Sequence, residues 1–198
     1  MMKIIDSFPT PVVINHIEEE LDDLFPSNID SIIKAISNNQ EGQYASEDLR
    51  VLDKHPRIKN IFLNKFKEIP LNYDNDFRIT TSWYTKLEKN LYSHFHNHKN
   101  SFWSGVYYPQ DSTGDIEFKS PLQTLTSFLI VPSEYNQYNT GGMFVRPEKN
   151  MIVFFPSYLE HRIRCHKDEK PRYSLAFNIV PIGRYGDQDS SYDTSWFS

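Results

Sequence analysis

The sequence predicts a mainly β protein, an antiparallel barrel or two-sheet sandwich with helices packed on one face. Three observations predict it. From Phe77 onward, short runs rich in β-branched and aromatic residues follow one another: FRITTSWYT (77–85), FWSGVYYP (102–109), DIEFKSP (115–121), LTSFLIVP (125–132), MIVFFP (151–156) and YSLAFNIVP (173–181). Pro, Gly, Asn or Asp bounds the runs. Upstream of Phe77 the apolar period is helical, so helices precede the strands instead of alternating with them, which favours an antiparallel sheet.

Residues 8–14 (FPTPVVI) read as a short edge strand, because two prolines spoil a central one. Residues 15–39 carry helical spacing: Ile17, Leu21 and Leu24, an interruption at Pro26, then Ile29, Ile32, Ile33 and Ile36. Ser27 or Asn28 suits the cap of the second piece. Residues 40–54 are polar and read as loop. Residues 56–68 place Ile58, Ile61, Phe62 and Phe66 on one face with Pro56 in the first turn, a third helix. The segments 84–95 and 132–142 precede candidate strands and suit mobile lids. The tail from Tyr185 is polar with isolated aromatics; it is either loose or packed through Trp196 and Phe197.

At 198 residues, one domain over 1–198 is expected: a strand and helices over 1–75, the β core over 76–182 and a polar tail over 183–198. Aromatics make up 15% of the chain and Gly only 7 residues, which argues against disorder. The net charge of −5 and the absence of a Lys/Arg block leave no electrostatic case for nucleic acid or an anionic membrane. The longest apolar runs are too short to span a bilayer, and the start lacks the apolar stretch of a signal peptide. The single cysteine, Cys165, excludes an intramolecular disulfide and fits a reducing, cytoplasmic setting.

Chemistry concentrates in two segments. HNH (96–98) offers His96 and His98 at i, i+2, which on a strand point to one side and can share a metal. His94 and His96 have the same spacing, so spacing alone leaves the pair open. His161 follows a buried-looking strand end and can complete a facial three-ligand set with open positions, the geometry of mononuclear non-haem iron. Arg172 follows eleven residues later, and alternation puts Ser174 on its face. An Arg fork with a hydroxyl suits the far carboxylate of a small diacid. In the same register Ala176 and Asn178 also face inward. There is no G-x-S-x-G elbow, P-loop or G-x-G-x-x-G.

Together with FPTPV (8–12), ITTSW (79–83), SGVYY (104–108), GDIEF (114–118), FPSYLEH (155–161) and RYSLAFN (172–178), the HNH segment resembles the core of the 2-oxoglutarate- and Fe(II)-dependent oxygenases. It is most similar to a small bacterial and phage family distantly like prolyl 4-hydroxylases. The resemblance implies a double-stranded β-helix (jelly roll, cupin-like) with N-terminal helices on one face. It also implies Fe(II), 2-oxoglutarate and O2 as cofactors, with succinate and CO2 released. The position of SGVYY favours His96 and His98 over His94 as the pair, with His161 as third ligand. Arg172, Ser174 and Tyr108 then hold 2-oxoglutarate, and Tyr107 faces the other way. The wider superfamily has Asp or Glu where His98 stands, so a carboxylate such as Asp115 or Glu117 is a candidate to enter the shell. The prime substrate is unread; a protein or peptide side chain such as prolyl is the analogy. Two other classes fit the same residues: a cupin-like three-histidine metalloprotein, zinc included, that uses no 2-oxoglutarate, and a non-catalytic β-sandwich binding module.

Overall fold

A computed structural model of the chain describes residues 3, 6, 9–21, 23–35, 43–122 and 130–197. In order, its elements are β1 (Val13–His16), α1 (Ile29–Ile32), β2 (Ile33–Ala35), β3 (Gln43–Ser46), a 3-10 turn (Val51–Lys54), α2 (Pro56–Lys67), β4 (Asp76–Leu87) and β5 (Trp103–Tyr108). Then come β6 (Ile116–Lys119), β7 (Gly142–Val145), β8 (Met151–Pro156), β9 (His161–Ile163), β10 (Arg172–Ile182) and a terminal hairpin, β11 (Arg184–Tyr185) with β12 (Tyr192–Asp193). Among the described residues a major sheet runs β1-β8-β5-β10-β4-β3-β2 and a minor sheet β7-β6-β9, with antiparallel pairing throughout. The fold is the expected mainly β jelly roll.

The long strand β10 lies between β4 and β5 and fixes the rest. Its alternation sends Leu175, Phe177 and Ile179 to one face and Arg172, Ser174, Ala176 and Asn178 to the other. The first face packs against α2 in one apolar cluster. The second faces the minor sheet, where Val106, Tyr108, Val153 and Phe155 meet Ile116, Phe118 and Val145. Strands β5 and β8 are covered on both faces, which is why they are buried at every position and read as continuous apolar runs.

Helix α2 forms where the spacing predicts it, with Pro56 at its start and Ile58, Phe62 and Phe66 buried. Phe62 stacks on Phe177 at 5.3 Å, and Phe66 meets Trp103 at 5.6 Å. Burying each such ring is worth roughly 1.5–3 kcal/mol. Gly105 sits opposite Phe177 on β5; a Cβ there would lie 2.2 Å from that ring.

Among the described residues, the helical expectation over 15–39 holds only at Ile29–Ile32, where Asn28 stands at the N-cap. β1 extends to His16, and the Ile17 N–H donates to the Asn150 carbonyl at 2.8 Å. Turns then lead to α1, a single helical turn, and Ile33 already belongs to β2. Ile17, Leu21 and Leu24 are buried, so their spacing reports burial and not a helix. In segments this short, propensity is weak and bonding to neighbouring strands decides. Residue Ile36 lies outside the described residues.

Other expectations shift. The stretch 40–54, read as loop, holds β3 and the 3-10 turn. The lid candidate 84–95 loses residues 84–87 to β4, which pairs with β10 as far as Leu87↔Arg172. In the 132–142 segment, hydrogen bonds among Glu134, Asn136 and Asn139 build turns up to β7. Of the LTSFLIVP run, residues 125–129 lie outside the described residues, as do the side chains of Trp196 and Phe197. Strands β7 and β9 were not separately expected; both are short. Among the described residues no helix is long and apolar enough to cross a membrane.

Candidate metal and anion site

The site is built where the two sheets face each other. His96 and His161 form a mutual backbone pair, N–H to carbonyl in both directions at 3.0 and 2.9 Å. Directly opposed residues share a face, so both imidazoles stand together, with ring centres 4.4 Å apart. His98 is held by its backbone N–H on the Ser157 carbonyl, 2.9 Å. Its ring lies 5.5 Å from His96 and 5.1 Å from His161. One ligand atom from each of the three lies within 4.8 Å of the others. His94 is outside this cluster, edge-on to Tyr92 at 5.7 Å.

Each of the three rings has Nδ1 on an oxygen: His96 on the His94 carbonyl (3.0 Å), His161 on the Leu159 carbonyl (3.0 Å) and His98 on Asn178 Oδ1 (2.7 Å). A carbonyl only accepts, so Nδ1 of His96 and His161 carries the proton and Nε2 keeps its lone pair. Burial holds His98 below the ordinary histidine range, partly offset by the bond to Asn178. Burial, followed by the neighbouring His96, pushes His161 down to about 3. Both are neutral near pH 7, the form that ligates metal. Phe155 and Phe118 pack on His161 at 4.6 and 6.0 Å, and Trp83 lies 5.5 Å from His98. The donor set fits a divalent transition metal with open positions.

The carboxylates considered for the shell are engaged elsewhere. The Asp115 carboxylate is taken by Arg146, with Arg164 at 3.8 Å. Glu117 pairs with Arg162 at 2.7 Å on the outward face of the minor sheet, opposite to Phe118 and His161. Period-two alternation excludes it from the inner face.

The anion end is Arg172, 1% exposed. Its Nε donates to the Gly114 carbonyl and Nη1 to Ser174 Oγ, both at 3.1 Å. Among the described residues no carboxylate comes within ion-pair distance of it. A buried guanidinium without a counter-ion is costly, so the pocket favours an anion. Tyr108 is fully buried, its ring 4.9 Å from the guanidinium carbon, and its hydroxyl has no hydrogen-bond partner among the described residues. Burial raises the Tyr108 pKa against the opposing pull of Arg172, so the phenol stays a neutral donor. An orphaned donor beside an uncompensated cation fits a carboxylate. Tyr107 faces α2 instead, 5.4 Å from Phe62.

Sequence reasoning assigned no role to four neighbours. Thr85 lies 2.6 Å from Ser174 Oγ, and Trp83 shares its face of β4. Both lie within the run 77–85 already read as a strand, but which face turns inward is set by their pairing with Ser174 and Ala176 of β10. Gly114 lets its loop pass over Arg172; a Cβ there would sit 2.8 Å from Cδ. Asn178 faces inward as its register requires and holds His98.

Residues 81–178 match the family model described as "Putative 2OG-Fe(II) oxygenase". Among curated proteins the sequence finds no significant match. In shape the chain is similar to HygX of Streptomyces hygroscopicus, solved with nickel, 2-oxoglutarate and hygromycin B: 12% identity, TM-score 0.62, over 87% of this chain and 83% of that one. A prolyl-4-hydroxylase of Pseudomonas putida gives 12% and 0.53, over 88% and 94%. A prolyl hydroxylase of Trichoplax adhaerens, in complex with a hypoxia inducible factor peptide, gives 10% and 0.57, over 85% and 83%. These likenesses show the shared fold; the match over residues 81–178 places the core of this chain in the 2OG-Fe(II) oxygenase family.

Proposed function

We propose that His96, His98 and His161 hold Fe(II), that Arg172, Ser174 and Tyr108 hold the far carboxylate of 2-oxoglutarate, and that the substrate is a protein or peptide side chain. Fe(II) with 2-oxoglutarate and O2 supplies oxidative decarboxylation to succinate and CO2, coupled to hydroxylation of a C–H bond. The chain's own residues do the rest. The Arg172 fork and the Tyr108 hydroxyl fix the dianion by charge-assisted bonds, and Ser174 aligns the guanidinium. Phe155 and Phe118 shield His161 and Trp83 shields His98, while His96 stays open to solvent. The observation that carries the reading is the buried, uncompensated Arg172 on the same strand face as the residue that holds His98.

A peptide is supported by the surface beside the site. Met143 pairs with Phe118, which pairs with His161, so the three lie in a row across the inner face of the minor sheet. Met143 is 42% exposed on this face; Phe144, paired with Glu117, and Phe95, under Arg162, are exposed on the other face of the same sheet. A trough of about 350 Å³ at the sheet edge is lined by Phe95, Phe118, Met143 and Phe144 together with Glu117 and Lys119. The prolyl hydroxylase of Trichoplax adhaerens was solved with a peptide, which makes a peptidyl substrate the analogy to test. A cytoplasmic setting fits the single cysteine and the need for ferrous iron.

The experiment is turnover with Fe(II), 2-oxoglutarate and O2, read as succinate formed with and without arrayed peptides, including proline-containing ones. Slow succinate release that a peptide accelerates, with a gain of one oxygen atom in the peptide, is expected. Tightly bound zinc with no succinate formation would overturn the reading.

A further inference from the structure

The three histidines are not held alike. His96 and His161 each rest Nδ1 on the carbonyl two residues back in their own segment. The equivalent carbonyl for His98 is that of His96, and the His161 N–H already occupies it at 2.9 Å. His98 instead takes its acceptor from another strand, the Asn178 side chain of β10.

We infer that Asn178 is the positioning residue that makes a histidine usable in the second ligand place, fixing His98 as the Nδ1–H tautomer with Nε2 toward the metal. The inference rests on the proposed reading of His98 as a ligand. Asn178 Oδ1 lies 2.7 Å from His98 Nδ1 and accepts from Ser104 Oγ at 2.9 Å. Its Nδ2 donates to Thr81 Oγ1 at 3.0 Å, which turns the amide so that oxygen faces the imidazole. Ser104 Oγ is also 3.1 Å from His98 Nδ1 and 2.8 Å from Ser157 Oγ. The Ser157 carbonyl in turn holds the His98 backbone. The ring is thus gripped at backbone and side chain from β5, β10 and the turn after β8.

The backbone serves this placement. The β10–β4 register shifts between Asn178 and Ile179: Asn178 pairs with Thr81, but Ile179 pairs with Ile79. Thr80 is the extra residue of a bulge, a device that re-aims side chains beside sites. A neutral amide orients His98 without lending it negative charge. The metal keeps its full positive charge for the incoming dianion, where the superfamily's carboxylate ligand would cancel part of it.

The test uses the full-length chain, titrated anaerobically with Co(II) and read by visible absorbance, with ¹⁵N-histidine NMR of the metal-free protein reporting tautomers. Wild type should show His98 as Nδ1–H. N178L should shift it to the Nε2–H form that water favours and weaken Co(II) by roughly 10–100-fold, the usual cost of losing such a partner. N178D keeps an acceptor of the same reach and should retain both tautomer and affinity. A residue that served only to pack against Thr81 would fail equally as Asp and as Leu. If N178L does not fold, N178S, too short to reach, carries the same expectation. Wild-type Co(II) affinity in N178L or N178S, or equal loss in N178D and N178L, overturns the inference while the proposed function stands. Absence of Co(II) binding by the wild type overturns the proposed function itself, and this inference with it.

Discussion

Three imidazoles with their Nδ1 atoms on oxygens leave three Nε2 lone pairs in one small volume, and that carries the metal assignment at the residue scale. His161→Ala should abolish stoichiometric iron binding measured after anaerobic loading, because one of three ligands is gone. His94→Ala should retain it, since His94 stands apart against Tyr92; iron lost from His94→Ala and kept in His161→Ala would move the site. His98→Asp should retain iron, because a carboxylate can take the same slot; complete metal loss would show that the slot requires an imidazole. The i, i+2 histidines and the Arg172/Ser174 alternation were legible in the sequence because they depend only on strand period. Gly114 over Arg172, Thr85 beside Ser174 and Asn178 on His98 were not, because each contact joins elements 58, 89 and 80 residues apart.

At the scale of elements, the strands from β4 to β10 and helix α2 were legible because burial on one or both faces writes a period into the residues. The segment 15–39 misled because Ile17, Leu21, Leu24 and Ile33 are buried outside any helix, and only Ile29–Ile32 makes a helical turn among the described residues. The close approach at Gly105 was invisible for the same reason: Phe177 fills the space of its missing side chain, and 72 positions separate the two. Phe177 is itself wedged between Phe62 and Phe154. Gly105→Ala should therefore cost about 1–3 kcal/mol through overpacking, read as a lowered midpoint in urea at unchanged m. An unchanged midpoint would mean that Phe177 has room to move.

Across the whole molecule, the inner face of β10 joins the two ends of the site: Asn178 at the histidines and Arg172 at the anion pocket, with small Ser174 and Ala176 between. Charge links that site to stability. His161 titrates near 3 when folded and near 6.5 when unfolded, so below 6.5 the unfolded chain gains the proton first. The metal-free protein should accordingly lose about 1.4 kcal/mol per pH unit from this group between about pH 6.5 and 3, and nothing outside that window. Thermal melts across that window should flatten in His161→Gln; equal slopes in both proteins would contradict the burial of a neutral His161. The most direct test of the assembled site is an anaerobic titration of 2-oxoglutarate into Fe(II)-loaded wild type and Arg172→Ala, followed by the visible metal-to-ligand charge-transfer band. Iron should bind both proteins, while Arg172→Ala should bind 2-oxoglutarate more weakly by roughly 2–4 kcal/mol, the scale for losing a buried charge-assisted partner. Equal 2-oxoglutarate affinity in the two proteins, or no band in either, would contradict the assignment of Arg172 and leave a three-histidine metal protein without its cosubstrate.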